Sequence, residues 1–262
     1  MTDVEMGPLL ARFAAGYDFG LDEYQLEACR LVEDGSGVLV AAPTGAGKTV
    51  VGEFAVWCAL ELGRKCFYTT PIKALSNQKF NELVDEYGEA NVGLLTGDTN
   101  INAGARVVVM TTEVLRNMLY AQSDLLTDLA CVVMDEVHYL ADRFRGAVWE
   151  EVIIHLPQPV RMVSLSATVS NAEEFGDWLQ AVRGDTVVIV SEERPVPRDQ
   201  HVLVRGRLID LFDSSGSIAT NRVNPELVDM ARHGGRVLSQ QARKDVGRRH
   251  SRGGRPDEFR LN

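Results

Sequence analysis

The segment Ala42-Pro43-Thr44-Gly45-Ala46-Gly47-Lys48-Thr49 constrains this 262-residue chain more than any other. It follows an apolar run, Val38–Ala41, that reads as a buried strand. It precedes Val51, Phe54, Ala55, Cys58 and Leu62, which fall on one helix face. A glycine-rich loop between strand and helix can turn its backbone N–H groups inward around phosphate oxygens, and the helix adds its positive end. Lys48 is placed to reach β- and γ-phosphates, and the Thr49 hydroxyl to bind Mg²⁺. Ala42 stands where the strict form of this loop has glycine.

The same texture continues downstream. Apolar runs at Cys66–Tyr68, Val92–Leu95, Val107–Met110, Cys131–Met134, Met162–Leu165 and Val187–Val190 predict further strands. Helical stripes lie between most of them, including Leu75, Phe80, Leu83, Val84 and Tyr87. Ser170-Asn171 before Glu173-Glu174 predicts a helix start, and a helix is expected over roughly 22–33. Strands alternating with helices mean an α/β fold with a mostly parallel sheet covered on both faces. Trp57, Trp149 and Trp178 sit on these helical stripes and are expected in the core.

A second chemical signal follows the strand Cys131–Met134. Asp135-Glu136-Val137-His138 puts two adjacent carboxylates at the carboxyl edge of the sheet, where open α/β folds bind ligands. Asp135 suits Mg²⁺, a cation of oxygen ligands, and Glu136 could deprotonate a water.

Together these motifs resemble the superfamily 2 helicases of the DExH kind, and their wording is most similar to the superkiller-like group and bacterial HelY-type helicases. Phe19-Gly20-Leu21-Asp22 with Gln25 resembles the adenine-reading region. Thr70-Pro71-Ile72-Lys73, Thr96-Gly97-Asp98 and Thr111-Thr112-Glu113 resemble strand-contacting motifs, and Ser166-Ala167-Thr168 the motif that couples domains. Arg194-Pro195-Val196-Pro197 follows the last strand as it does in the superkiller-like group. The likeness spans about 17–200. It implies a RecA-like domain using ATP and Mg²⁺. Gln25, Ala42, Pro43, Thr44, Gly45, Ala46, Gly47, Lys48 and Thr49 would hold nucleotide, with Thr49 and Asp135 on the metal and Glu136 as base beside Lys48. Thr70, Pro71, Lys73, Gly97, Asp98, Thr111 and Thr112 would line a nucleic-acid face, RNA being favoured over DNA. His138, Ser166 and Thr168 would couple nucleotide state to a second RecA-like domain. Taken singly, Gln25 reads equally as an exposed helix residue, the Ser and Thr pairs as helix caps, and Thr96-Gly97-Asp98 as a plain turn. A nucleotide kinase or GTPase has no reason to carry these motifs in this order.

Charge divides the chain. Residues 1–193 hold 13 basic and 29 acidic side chains, while 194–262 hold 14 and 8. The expected organisation is an extension over 1–16, the ATP-binding domain over 17–200, a short extension with two candidate strands over 201–231, and a basic, disordered tail over 232–262. Residues 232–255 carry 8 basic side chains and 1 acidic, a composition that buries too little to fold and suits salt-sensitive phosphate contact. A second RecA-like domain does not fit after Thr168, so the chain reads as an N-terminal half with little turnover alone. Cys29, Cys58, Cys66 and Cys131 form no CxxC pair and lie in apolar stretches, so reduced thiols are expected. His155, His201, His233 and His250 lack zinc-ligand spacing. With no signal peptide and no membrane-length apolar run, a cytoplasmic protein is expected.

Overall fold

The computed structural model describes residues 6–141, 146–167, 172–193, 200–204, 206–213 and 222–232. They fall in two compact units, one ending at Val196 and the other beginning at Pro197. Thr168, Ser170-Asn171, Arg194–Pro197 and the tail beyond Arg232 lie outside the described residues.

The first unit is an eight-stranded sheet. In chain order its strands are β1 Gly37–Ala41, β2 Lys65–Thr70, β3 Val92–Leu95, β4 Asn100–Ile101, β5 Val107–Thr111, β6 Leu129–Met134, β7 Arg161–Ser166 and β8 Thr186–Val190. The spatial order is β4-β3-β5-β2-β6-β7-β1-β8. All pairs are parallel except the short hairpin arm β4, which pairs antiparallel with β3. The seven longer strands coincide with the seven apolar runs of the sequence. The short β4 escaped that reading because it is two exposed residues long, Asn100 and Ile101, too short to form an apolar run.

The sheet is buried on both faces by helices, and the period-two alternation of its strands sorts side chains between two cores. Helices α1 Pro8–Ala14, α2 Glu23–Glu33, α3 Thr49–Glu61 and α4 Lys73–Tyr87 contribute to the core that contains Val38, Val40, Tyr68 and Val133. Helices α5 Thr112–Tyr120, α6 Gly146–His155 and α7 Ala172–Arg183 contribute to the other, which contains Leu39, Phe67, Val132 and Met134. Trp149 is fully buried in the second core, and Trp57 and Trp178 pack against the two cores, as expected of helical-stripe residues.

Two details were not visible in the sequence pattern. Helix α1 buries Leu10 and Phe13 in the first core and is tied to α2 by Leu9 N–H donating to Glu33 Oε1 (2.8 Å). The helix is only seven residues long, too short to show a period in sequence. Leu62 caps α3 and is exposed, because Gly63 reverses the chain before the stripe closes another turn. All four cysteines are free and buried, and burial pushes the Cys58 thiol up to about 12.

The second unit contains the antiparallel pair β9 His201–Val204 and β10 Arg207–Asp210, a bridge between Phe212 and Val223, and a helix over 225–232.

Candidate active site

Parallel strands all end on one edge, and the chemistry-bearing residues follow those ends. The Ala42–Thr49 loop follows β1, Asp135-Glu136 follow β6, and Ser166 ends β7. Strands β6, β7 and β1 are consecutive neighbours in the sheet, so three motifs far apart in sequence meet at one place. The Ser166 carbonyl accepts the Ala42 N–H (3.0 Å), tying the end of β7 directly to the loop.

The loop turns where the sequence supplies glycine. Gly45 and Gly47 have φ of 87° and 80°, a region that side chains disfavour. Gln25 braces this turn. Its Nε2 donates to the Gly47 carbonyl (2.9 Å), and its Oε1 accepts the Asp22 N–H (2.8 Å) as half of a capping box at the start of α2. Tyr24 Oη donates to the Ala46 carbonyl beside it. Gln25 is therefore buried, which excludes the exposed-helix reading. Nε2 also donates a longer hydrogen bond to Tyr24 Oη (3.5 Å), so both amide hydrogens are engaged and one Oε1 lone pair is left over.

Lys48 is buried with its Nζ 3.9 Å from Glu136 Oε1. His138 Nδ1 lies 3.2 Å from Glu136 Oε2, close enough for an ion pair, although neither atom has an aligned hydrogen bond. Glu136 thus sits between a cation and an imidazole, with one oxygen unsatisfied. Its φ of 55° is a left-handed conformation that a non-glycine residue adopts at a cost, a pattern concentrated at functional sites. The Asp135 carboxylate is fixed at both oxygens: Oδ1 accepts the Glu136 N–H (2.9 Å) and Oδ2 accepts the Tyr68 hydroxyl (3.0 Å). Burial, and then the neighbouring Glu136 charge, push the Asp135 carboxyl above the ordinary carboxylate range, outweighing Tyr68 and Lys48. A carboxylate short of positive charge, with the Thr49 hydroxyl as a second oxygen donor at the loop, fits a hard divalent cation such as Mg²⁺.

The other proposed motifs follow β2, β3 and β5, which are also neighbours. Lys73, Gly97 and Asp98 are exposed, while Pro71 and Thr111 are half-buried. Lys73 Nζ contacts both Asp98 oxygens, at 2.7 and 2.6 Å, and with Thr96 holds the Asp98 carboxyl below its usual range. The Thr70 and Thr112 hydroxyls are buried and used internally. Thr70 Oγ1 donates to the Ile72 carbonyl (3.1 Å) and lies 2.7 Å from Ser76 Oγ, while Thr112 Oγ1 donates to the Thr70 carbonyl (3.3 Å). These two threonines shape the backbone of the edge and do not present hydroxyls on it. Thr111 holds the N-cap position of α5 with no side-chain capping bond. Tyr68 was not among the expected site residues. A tyrosine inside an apolar strand carries no sequence signal that separates it from ordinary core.

The DEAD/DEAH box helicase family model matches residues 22–175, more than half of the chain. The chain belongs to the DEAD/DEAH-box helicases. They are an ATP-hydrolysing enzyme family. The chain is 64% identical over 233 residues to the probable helicase HelY of Mycobacterium leprae, covering 89% of this chain and 25% of that protein. It is 44% identical over 204 residues to the exosome RNA helicase MTR4 of Mus musculus, a superkiller-like helicase, covering 78% of this chain and 19% of that one. Among solved structures it resembles Mycobacterium smegmatis helicase Lhr bound to ssDNA and AMP-PNP, with a TM-score of 0.57 and 27% identity over 71% of this chain and 28% of that one. The chain thus spans a quarter or less of the curated relatives' length. Both the superkiller-like, HelY-type resemblance and the RecA-like fold agree with these matches.

Proposed function

We propose that this chain is the N-terminal RecA-like ATP-binding part of an ATP-dependent helicase acting on RNA, in the cytoplasm. The observation that carries the reading is the convergence of Lys48, Asp135, Glu136 and His138 at the ends of adjacent strands. Loop amides and Lys48 would bind the β- and γ-phosphates of ATP, Gln25 would meet adenine, and Thr49 with Asp135 would hold Mg²⁺. The ion would supply charge neutralisation on the phosphates. Glu136 would orient the attacking water and accept its proton, freed for that role when phosphate draws Lys48 away. His138, Ser166 and Thr168 would pass the change to a second RecA-like domain. That domain would bring arginines worth ~10³–10⁵ in rate, so the chain by itself should bind nucleotide and strand with little turnover.

Backbone amides, the exposed Lys73, Gly97 and Asp98 and the half-buried Thr111 would meet the nucleic acid, contacting phosphate and sugar more than base edges. The domain boundaries proposed are 17–200 for the domain, drawn back to Pro8 by α1, with 232–262 as a basic phosphate-binding tail. The RNA preference is supported by the similarity to an RNA helicase. DNA is the second reading, supported by the likeness to a helicase bound to ssDNA.

The test is Glu136→Gln in a longer protein that contains the second domain. ATP turnover should vanish while nucleotide binding persists, and undiminished turnover sinks the reading. Unwinding of matched RNA and DNA duplexes by that protein decides the substrate.

A further inference from the structure

Strands β2 and β6 lie side by side where two halves of the sheet edge meet. On one side are the tips of β6, β7 and β1, which hold the phosphate-binding motifs. On the other are the tips of β3, β5 and β2. Tyr68 crosses this seam. It is fully buried on β2, in register with Val133 of β6, and its hydroxyl donates to Asp135 Oδ2 (3.0 Å). Asp135 is anchored from below as well, its N–H donating to the Thr69 carbonyl (3.0 Å).

The ring itself is pinned. A Cβ on Gly52 of α3 would lie 3.3 Å from Tyr68 Cε2 and 3.1 Å from Val133 Cγ1, so the helix after the phosphate loop rests closely against it. Lys79 Nζ lies 5.5 Å from the ring centroid. That lysine is itself buried and held by Glu53 Oε1 (3.1 Å) and Glu82 Oε2 (2.6 Å). Glu53 belongs to α3, and its other oxygen accepts the Tyr17 hydroxyl (3.3 Å). A buried phenol is costly unless its hydroxyl is bonded, and phenylalanine would fill the same space without that cost. The hydroxyl's partner here is the carboxylate.

We infer that Tyr68 is a positioning residue for Asp135, fixing the plane of the carboxylate from the strand that leads to Lys73, with Lys79 and Gly52 setting its ring. The inference rests on the reading of Asp135 as the magnesium carboxylate. Partners of metal-binding carboxylates are worth about 10–100-fold in metal affinity or activity.

The test titrates Mg²⁺ against binding of a fluorescent, non-hydrolysable ATP analogue to the full 262-residue chain. Tyr68→Phe should raise the Mg²⁺ concentration for half-maximal tightening by ~10-fold. It should leave the affinity measured in EDTA unchanged. Added to Asp135→Asn, it should have no further effect. If Asp135→Asn loses the magnesium dependence while Tyr68→Phe keeps it, the inference is overturned. If Tyr68→Phe weakens binding equally in EDTA, its role is merely structural and the inference falls too. If Asp135→Asn keeps the parental dependence, the assignment of Asp135 itself fails and carries the inference with it.

Discussion

Gln25 offers the sharpest test of what holds the glycine-rich loop together before any nucleotide arrives. Its amide makes two short hydrogen bonds, 2.9 Å to the Gly47 carbonyl and 2.8 Å from the Asp22 N–H, besides a longer one of 3.5 Å to Tyr24 Oη, and the residue is only 4% exposed. Net hydrogen bonds of this kind are worth ~1 kcal/mol each, so Gln25→Ala should cost ~2 kcal/mol. The partners of the two short bonds, Asp22 and Gly47, are exposed residues, so water can resolvate them and the larger penalty for a sealed orphan does not apply. For a unit of this size ~2 kcal/mol lowers Tm by about 4–8 °C. The assay is thermal melting of the nucleotide-free chain. Gln25→Glu keeps the acceptor for Asp22 but sets a carboxylate against the Gly47 carbonyl. It should melt at or below Gln25→Ala at pH 7 and recover ground as the pH falls below ~4.3, the ordinary glutamate value. A nucleotide-free Gln25→Ala that melts with the parent would refute the brace and leave adenine contact as the residue's whole role.

Two other outcomes follow from the same geometry. The Asp135 carboxyl is raised by burial and by Glu136, so the folded chain holds its proton more tightly than the unfolded chain does. Stability from this group is therefore present at low pH and lost as pH rises from the ordinary carboxylate value through the raised one. The melting difference between Asp135→Asn and the parent should shift in favour of the mutant across that window, and a pH-independent difference would contradict the sign. A Cβ on Gly176 of α7 would overlap Val188 Cγ2 on β8. Gly176→Ala should lose ~2 kcal/mol through overpacking, more than the ~1 kcal/mol of helix propensity it gains, as read by chemical denaturation. A stabilised mutant would show that Val188 simply rotates away.

Much of the fold was legible because its signals are local. Short valine-rich runs such as Val107–Met110, bounded by polar and turn residues, read as strands buried on both faces. The Gly45, Gly47, Lys48, Thr49 spacing dictates the loop, and Asp135-Glu136 after an apolar run dictates a sheet edge. The likeness to helicases added roles that spacing alone leaves open. What stayed hidden was short or non-local. The helix α1 has two buried residues and no period. Thr70 and Thr112 look like any exposed Thr pair until their hydroxyls are seen turned inward.

The sequence by itself determined the elements, their order and the chemistry at their ends, since periodicity, turn residues and motif spacing act over a few residues. Only the tertiary structure decided adjacency. Strand order brings β1 beside β7 and one strand from β6, although scores of residues separate β1 from both in the chain, and that order comes from burying two helical layers against one sheet. It is packing that makes Gln25 a brace for Gly47, sets Lys48 and His138 around Glu136, and aims the Tyr68 hydroxyl at Asp135. Apart from His138 with Glu136, those contacts join residues distant along the chain, and no local pattern encodes their distances.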